Sequence, residues 1–330
     1  MIEEKIKEFY DKYFYFSYSS LNKLLYSPIL FFDWYVLNQR EDRTDKHLIE
    51  GKVLHCLLLQ KDKFDDNFII APNTVPTGNN KAIIESIYGQ WLNDNRSSKL
   101  KDFSDEIIEW LKYNDLHQKL SSDEKRVEKI LIDKNLVYFE HLIKASGNKD
   151  IIDQEMLERC EESVKAVKGS QRAVELLRLG DSSFELVEVF NEIPLKRKLA
   201  NRNFGIQGII DNFVIDHSQN KLYINDLKTT QKSISDFPDS IEYFKYWLQA
   251  SVYNILCKGY LKKIQKENYK IIFNFIVVDK YKQVYCFEVS KSTMRDWEIK
   301  TAEVLKKAEY HYKEKEYKLP YEFAHGDVVL

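Results

Sequence analysis

The run YINDLKTT, residues 223–230, sets Asp226 and Lys228 one residue apart in a segment of strand composition. On an alternating strand both side chains project to the same face. Taken alone, such a pair is most often a solvated ion pair. Upstream, Asp211 interrupts an apolar run, between Ile209–Ile210 and Phe213-Val214-Ile215. A carboxylate there is costly unless it is paired or holds a cation. The intervening HSQN, residues 217–220, reads as a turn, and the two aspartates lie equally far from it, so they should meet across a hairpin. Two close carboxylates repel, and one is driven toward protonation unless a cation lies between them. Mg²⁺ resolves this, because it takes oxygen ligands and shares them with water and phosphate. Lys228 would then stand beside a metal-bound water, where an ammonium stabilises a forming hydroxide or the charge on a phosphate. Carboxylates, a divalent metal and a lysine suit phosphodiester hydrolysis.

A sheet must hold these residues. SFELVEVFNEIPL, FGIQGIIDNFVID and KLYINDLKTT are three consecutive strand-like runs rich in β-branched and aromatic residues. SIEYFKYWLQASVYNILCKGY reads as an amphipathic helix capped near Gly259. YKIIFNFIVVD and KQVYCFEVS add two strands as a hairpin, and a helix from STMRDWEIK onward closes the order β-β-β-α-β-β-α. The expected fold class is α/β, a mixed central sheet flanked by helices. Ahead of it, SYSSLNKLLYSPILFFDWYVLNQ and HLIEGKVLHCLLLQ read as helices, with Pro28 breaking or restarting the first. APNTVPTGNN, residues 71–80, reads as loop. The expected organisation is N-terminal helices over 1–70 that contribute to the core, a helical subdomain over 81–180, and the sheet-bearing core over 181–330.

Composition removes several alternatives. Apolar residues are 44% and charged residues 31% of 330, with 21 Tyr and 19 Phe, which argues for a packed globular chain rather than disorder. A net charge of −2 gives no global basic signature, although local fields can outweigh the sum. The four cysteines are widely separated, so neither a zinc site nor an Fe–S cluster is expected. No GxxxxGK[ST] loop is present, so no ATP-driven motor is expected. The start MIEEKIKEFYD is too charged for a signal peptide, and no apolar run is long enough to cross a bilayer, so a cytoplasmic protein without a membrane partner is expected.

GIID, then DLK, then QASVY on the following helix, resembles the PD-(D/E)XK nuclease core. More narrowly it is similar to the RecB-like branch with its GxxD, DxK and QxxxY signatures. Gln249 and Tyr253 are four apart and share a helix face; the resemblance implies that this face points at the metal site and the scissile phosphate. The same branch carries an upstream GxxxH, matched here by Gly51 and His55 in GKVLH, and imidazole would be a further metal ligand. YSSLNKLLYSPILFF at the start, NKDIIDQEMLERCEESVKAVKGSQRAVELL in the middle, then DLKTT and YWLQASVYN, look like the RecE (exodeoxyribonuclease VIII) type of phage and prophage exonuclease.

The resemblance implies a Mg²⁺-dependent (or Mn²⁺-dependent) deoxyribonuclease acting on linear duplex DNA, with single strands as a further substrate. Asp211 and Asp226 would bind metal with the Leu227 carbonyl and His55. Lys228 would position the attacking water, and Gln249 and Tyr253 would hold the phosphate or Lys228. The acid preceding GxxD is Glu192 or Glu188: Glu192 fits the usual placement better, but alternation puts both on one strand face. Thr229 and Thr230 after the lysine are candidate substrate contacts, though threonine favours strands anyway. The basic stretch LKRKLANR, with Lys196, Arg197, Lys198 and Arg202, reads equally as a phosphate-backbone track or a solvated hairpin tip. A single-strand annealing protein and a homo-oligomer that encircles DNA are the implied partners. An endonuclease or flap nuclease with the same site, and a non-cleaving DNA-binding protein that keeps the fold, are the alternatives.

Overall fold

The computed structural model describes residues 2–40, 45–94, 97–147, 149–180, 186–326 and 328. Residues 183–185, the opening of the first expected strand run, lie outside them. The described strands are β1 (Tyr15–Phe16), β2 (Phe68–Ile70), β3 (Asp150–Ile152), β4 (Val187–Lys198), β5 (Gly205–Asp216), β6 (Lys221–Thr230), β7 (Lys270–Asp279) and β8 (Val284–Val289). The chain divides into two compact units, one formed by residues 1–45 and 162–330 and the other by 46–161.

The first unit carries a six-stranded mixed sheet in the order β1-β5-β6-β7-β8, with β4 on the other edge of β5. The expected turn at 217–220 joins β5 to β6 as an antiparallel pair. Asp216 caps it, accepting from the Ser218 hydroxyl at 2.5 Å and the Gln219 N–H at 3.0 Å. β6 and β7 are parallel in register from Lys221↔Lys270 to Thr230↔Asp279. A parallel pair needs a long crossover, supplied here by the helices Phe237–Tyr243 and Tyr246–Lys263. The second of these, hereafter the core helix, buries residues on nearly every face, from Trp247 to Leu261. It packs between the sheet and the closing helix Lys291–Glu314. Phe16, Phe31, Phe204, Phe213, Phe273 and Phe275 are the bulk of the core beneath it; each such ring stabilises the fold by roughly 1.5–3 kcal/mol of burial.

Local expectations meet physical corrections. Pro28 does restart the first helix: Tyr18–Tyr26 ends, and the Ser27 hydroxyl caps a new turn with proline at its first position. Gly259 is not a cap. The core helix runs on to Lys263, and a Cβ on Gly259 would lie 2.9 Å from Cδ of Arg197, so the glycine admits that side chain. The loop 71–80 is shorter than expected, because a helix begins at Gly78. The two compact units divide at 45/46 and 161/162.

The second unit is mostly helical, with β2 and β3 as a parallel pair of three residues each. One of its clusters joins Ile83, Ile87, Phe103, Ile107 and Phe139. Another joins Ile49, Val53, Cys56 and Phe68 to Ile152, Met156 and Cys160. This second cluster is why residues 46–70 belong here. Among the described residues no helix is long and apolar enough to cross a membrane.

Candidate active site

The site grows from a break in the sheet. Along β5, one edge is paired with β4 from Gly205 to Asp216. The other edge is paired with β6 only from Asn212 to Asp216, and with β1 only at Gly205 and Ile206. Among the described residues, no strand pairs with 207–211 on that side, and β5 and β6 part there. The register sets Asn212 opposite Asn225, so its next step would set Asp211 opposite Asp226. The ladder stops one residue short of that step. The Leu227 N–H, which would otherwise lose its partner at the break, donates instead to the Asp211 carboxylate at 2.8 Å.

A row of asparagines holds the sheet together beside the break. Asn191, Asn212, Asn225 and Asn274 stand opposite one another on β4, β5, β6 and β7. Asn212 Nδ2 donates to Asn191 at 2.8 Å, Asn225 Nδ2 to Asn212 at 2.8 Å, and Asn274 Nδ2 to Asn225 at 2.9 Å. Asn225 and Asn212 also donate to the Leu176 and Leu177 carbonyls at 2.8 and 3.3 Å, at the end of the helix Gln171–Leu177. Three of the four are completely or almost completely buried. A buried polar network of this kind fixes one register wherever its groups are satisfied.

One step from that row stand the acids. Asp226 is fully buried, and Lys228, with a side chain only 12% exposed, forms an ion pair with its carboxylate. Burial by itself would push the Lys228 ammonium toward neutrality. The charges of Asp226 and then Asp211 outweigh it and hold the lysine firmly protonated. Glu192 faces Asp211 across the β4–β5 pair, and their carboxylate oxygens come within 4.8 Å of each other. Its backbone has φ of 50°, left-handed in the middle of a strand, and the ladder skips it between Asn191↔Asn212 and Ile193↔Ile210. A non-glycine residue in that region is uncommon and marks local strain. Glu188 lies elsewhere, bonded to His217 Nε2 at 2.6 Å.

The core helix brings Gln249 and Tyr253 to the same place. Gln249 Nε2 donates to the Tyr253 hydroxyl at 3.0 Å, and both residues are buried. Burial raises the Tyr253 phenol well above its usual range, and the negative charges of Asp211, Asp226 and Glu192 raise it further, so it remains a neutral hydroxyl facing three acids. Its ring lies directly on Gly208, where a Cβ would come within 2.7 Å of Cε1. That contact is the physical reason for glycine in GIID.

Sequence reasoning missed two tyrosines. The Lys228 ammonium lies over the Tyr246 ring, 5.0 Å from its centre. The Tyr18 hydroxyl donates to the Phe244 carbonyl at 2.5 Å. Burial raises Tyr18, and the neighbouring Tyr246 and Asp226 add to this while Lys228 opposes it. Tyr246 had a signal: it precedes Gln249 by three on one helix face.

Four basic residues of the expected set make contacts of their own within the first unit. Arg197 turns inward to the Ile255 carbonyl at 2.7 Å. Arg202 bonds the Leu305 carbonyl and pairs with Glu309 at 3.0 Å. Those two arginines therefore tie elements of the first unit together. Lys196 and Lys198 lie over the rings of Tyr15 and Tyr13, at 5.5 and 5.2 Å. Thr229 and Thr230 end β6, half-buried, and the Thr230 hydroxyl accepts from the Lys232 N–H at 3.1 Å. His55 lies on the helix Lys46–Leu59 of the second unit, one turn after Gly51. A Cβ on Gly51 would meet nothing within 4 Å.

The Asp211 and Glu192 carboxylate oxygens, within 4.8 Å of each other, are the hard, anionic kind of donor that a divalent cation takes. Among curated proteins no match is found. Of solved structures, a crystal structure from Eubacterium rectale named "Putative exonuclease" is similar at 12% identity over 96% of this chain and 89% of that one, with a TM-score of 0.45. The family model for the PD-(D/E)XK nuclease superfamily matches residues 15–319, which contain the parted strands and both buried helical partners of the acids. The chain belongs to the PD-(D/E)XK nuclease superfamily.

Proposed function

We propose that this protein is a Mg²⁺-dependent exonuclease of the RecE-like type, hydrolysing phosphodiester bonds from the ends of linear duplex DNA in phage recombination. The observation that carries the reading is the meeting of Asp211, Asp226, Glu192 and Lys228 where β5 and β6 part. Nucleases of this superfamily use divalent metals. Asp211 and Asp226, with the Leu227 carbonyl, are the residues that would hold the ion, and it would supply Lewis acidity at the phosphate and an acidified water. His55 is proposed as a nitrogen ligand on its chemistry alone.

The chain's own groups divide the remaining work. Lys228, ion-paired with Asp226, contributes positive charge toward the phosphate as negative charge grows there. Glu192 is the carboxylate left to accept a proton from, or orient, the attacking water. The Tyr253 hydroxyl, already bonded to Gln249, donates to a phosphate oxygen, and being neutral it does not repel it. Lys196, Lys198, Thr229 and Thr230 are proposed as DNA contacts. An annealing protein and a ring-forming oligomer remain part of the proposal as partners.

One assay tests it: linear duplex, nicked circle, closed circle and single strand, with Mg²⁺ or with chelator, for wild type, Asp226→Ala and Lys228→Ala. The expected outcome is metal-dependent loss of linear duplex from its ends, with both variants reduced on the order of a hundredfold or more. Cutting of the closed circle would instead identify an endonuclease, and cleavage by either variant at the wild-type rate would sink the site assignment.

A further inference from the structure

From Lys228 an unbroken file of aromatic rings leads to solvent. Tyr246 lies under the ammonium at 5.0 Å. Phe244 stacks on Tyr246 with ring centres 5.4 Å apart and planes at 27°, and Tyr243 meets Phe244 edge-on at 4.8 Å. Phe237 stacks behind Tyr246 at 6.1 Å and anchors the file to the core. Its outer end is open: Phe244 is 46% and Tyr243 77% exposed. Between this pair and the core helix, Lys245 takes a left-handed φ of 55°, which lets the chain turn before the helix begins. The Tyr18 hydroxyl fixes the turn by binding the Phe244 carbonyl. The outer rings are thus held outside the core by a specific backbone arrangement.

We infer that Tyr243 and Phe244 form a stacking platform for unpaired nucleobases at the mouth of the active site. The inference rests on the nuclease reading above and deepens it: the substrate it selects is a strand end whose bases have left the duplex. Aromatic faces bind bases of any identity, but only bases no longer stacked on their neighbours. The file is continuous with the lysine and acids that would hold the phosphate, so a strand whose phosphate reaches Lys228 brings its adjacent bases onto these rings. What distinguishes these two exposed rings is their continuity with Tyr246 and Lys228.

The test measures binding with chelator present, so that cleavage does not enter. Fluorescence anisotropy compares a labelled oligothymidylate with a blunt duplex of the same length for wild type, Tyr243→Ala, Phe244→Ala, the double alanine variant and Tyr243→Trp. Each alanine should weaken oligothymidylate binding on the order of tenfold, with a much smaller effect on the duplex, and Tyr243→Trp should retain it. Both side chains are exposed, so folding is not at risk; circular dichroism checks this. Unchanged oligothymidylate affinity in the double variant, an equal loss on both ligands, or a wild type that binds only duplex each overturns the platform. Failure of the nuclease reading looks different: the wild type would cut no DNA with Mg²⁺, while a selective loss in the double variant would still uphold the platform.

Discussion

Substituting alanine at the two motif glycines should have opposite effects, and the difference follows from the space around each. At Gly208 the new Cβ would stand 2.7 Å from Cε1 and 3.2 Å from Cδ1 of Tyr253, and 3.3 Å from Cδ1 of Leu256. Carbon atoms settle at roughly 3.5–4.0 Å, so the tyrosine ring must retreat by about 1 Å. That ring is only 7% exposed, and its hydroxyl is held by Gln249 at 3.0 Å, so retreat strains the core helix and disturbs the hydroxyl facing the acids. Overpacking of this kind costs roughly 1–3 kcal/mol, less about 0.4–1 kcal/mol regained because alanine restricts the unfolded chain. Gly208→Ala should therefore lower stability by roughly 0–2.6 kcal/mol, with the middle of that range above about 1 kcal/mol. It should also reduce cleavage, since Tyr253 moves with the ring. At Gly51 the Cβ enters open space within a helix, and Gly51→Ala should stabilise by about 0.5–1 kcal/mol. Urea denaturation reads both values, and cleavage of linear duplex reads the activity. A Gly208→Ala protein as stable and as active as wild type would refute the reasoning from contact distances.

Two further predictions concern the frame around the site. Asn225→Leu removes donors to the Leu176 carbonyl and Asn212 and an acceptor for Asn274, all buried; at roughly 1–3 kcal/mol for each group left unsatisfied, the loss should exceed about 3 kcal/mol in urea denaturation, and a loss below about 1 kcal/mol would contradict the row's role. His311 is buried, donates from Nδ1 to the Glu316 carbonyl, and is held below its usual range chiefly by burial. Its unfolded form therefore binds a proton first, so wild-type melting temperature should fall as pH drops below about 6.5 toward the depressed folded value, and His311→Gln should flatten that slope; equal slopes would disprove it.

What could be read in the sequence was what local rules determine. Equal spacing of Asp211 and Asp226 about a four-residue turn sufficed to give the hairpin register as far as Asn212↔Asn225, one step short of the two acids. Helical spacing likewise sufficed for Gln249 and Tyr253. Glu188 and Glu192 could not be separated, because strand alternation treats them alike; the left-handed backbone at Glu192 is a tertiary effect with no glycine to signal it. Arg197 and Arg202 read as surface charge, yet distant carbonyls at Ile255 and Leu305 draw them inward. β1 has two residues, too few for any periodicity. The unit boundary at 161/162 falls inside a continuous helix, Gln154–Gly169, so composition does not change there.

The first unit is assembled from two pieces of chain separated by the whole of the second. During synthesis this has a cost in time. Phe16, Leu21, Leu24 and Phe31 leave the ribosome early, but their partners Phe204, Ile206 and Ile210 are still untranslated. At roughly 5–20 residues per second the wait is on the order of ten seconds or more, and residues 46–161 can collapse around their own clusters meanwhile. Until β5 emerges, these apolar side chains lack the sheet partners that bury them in the folded first unit.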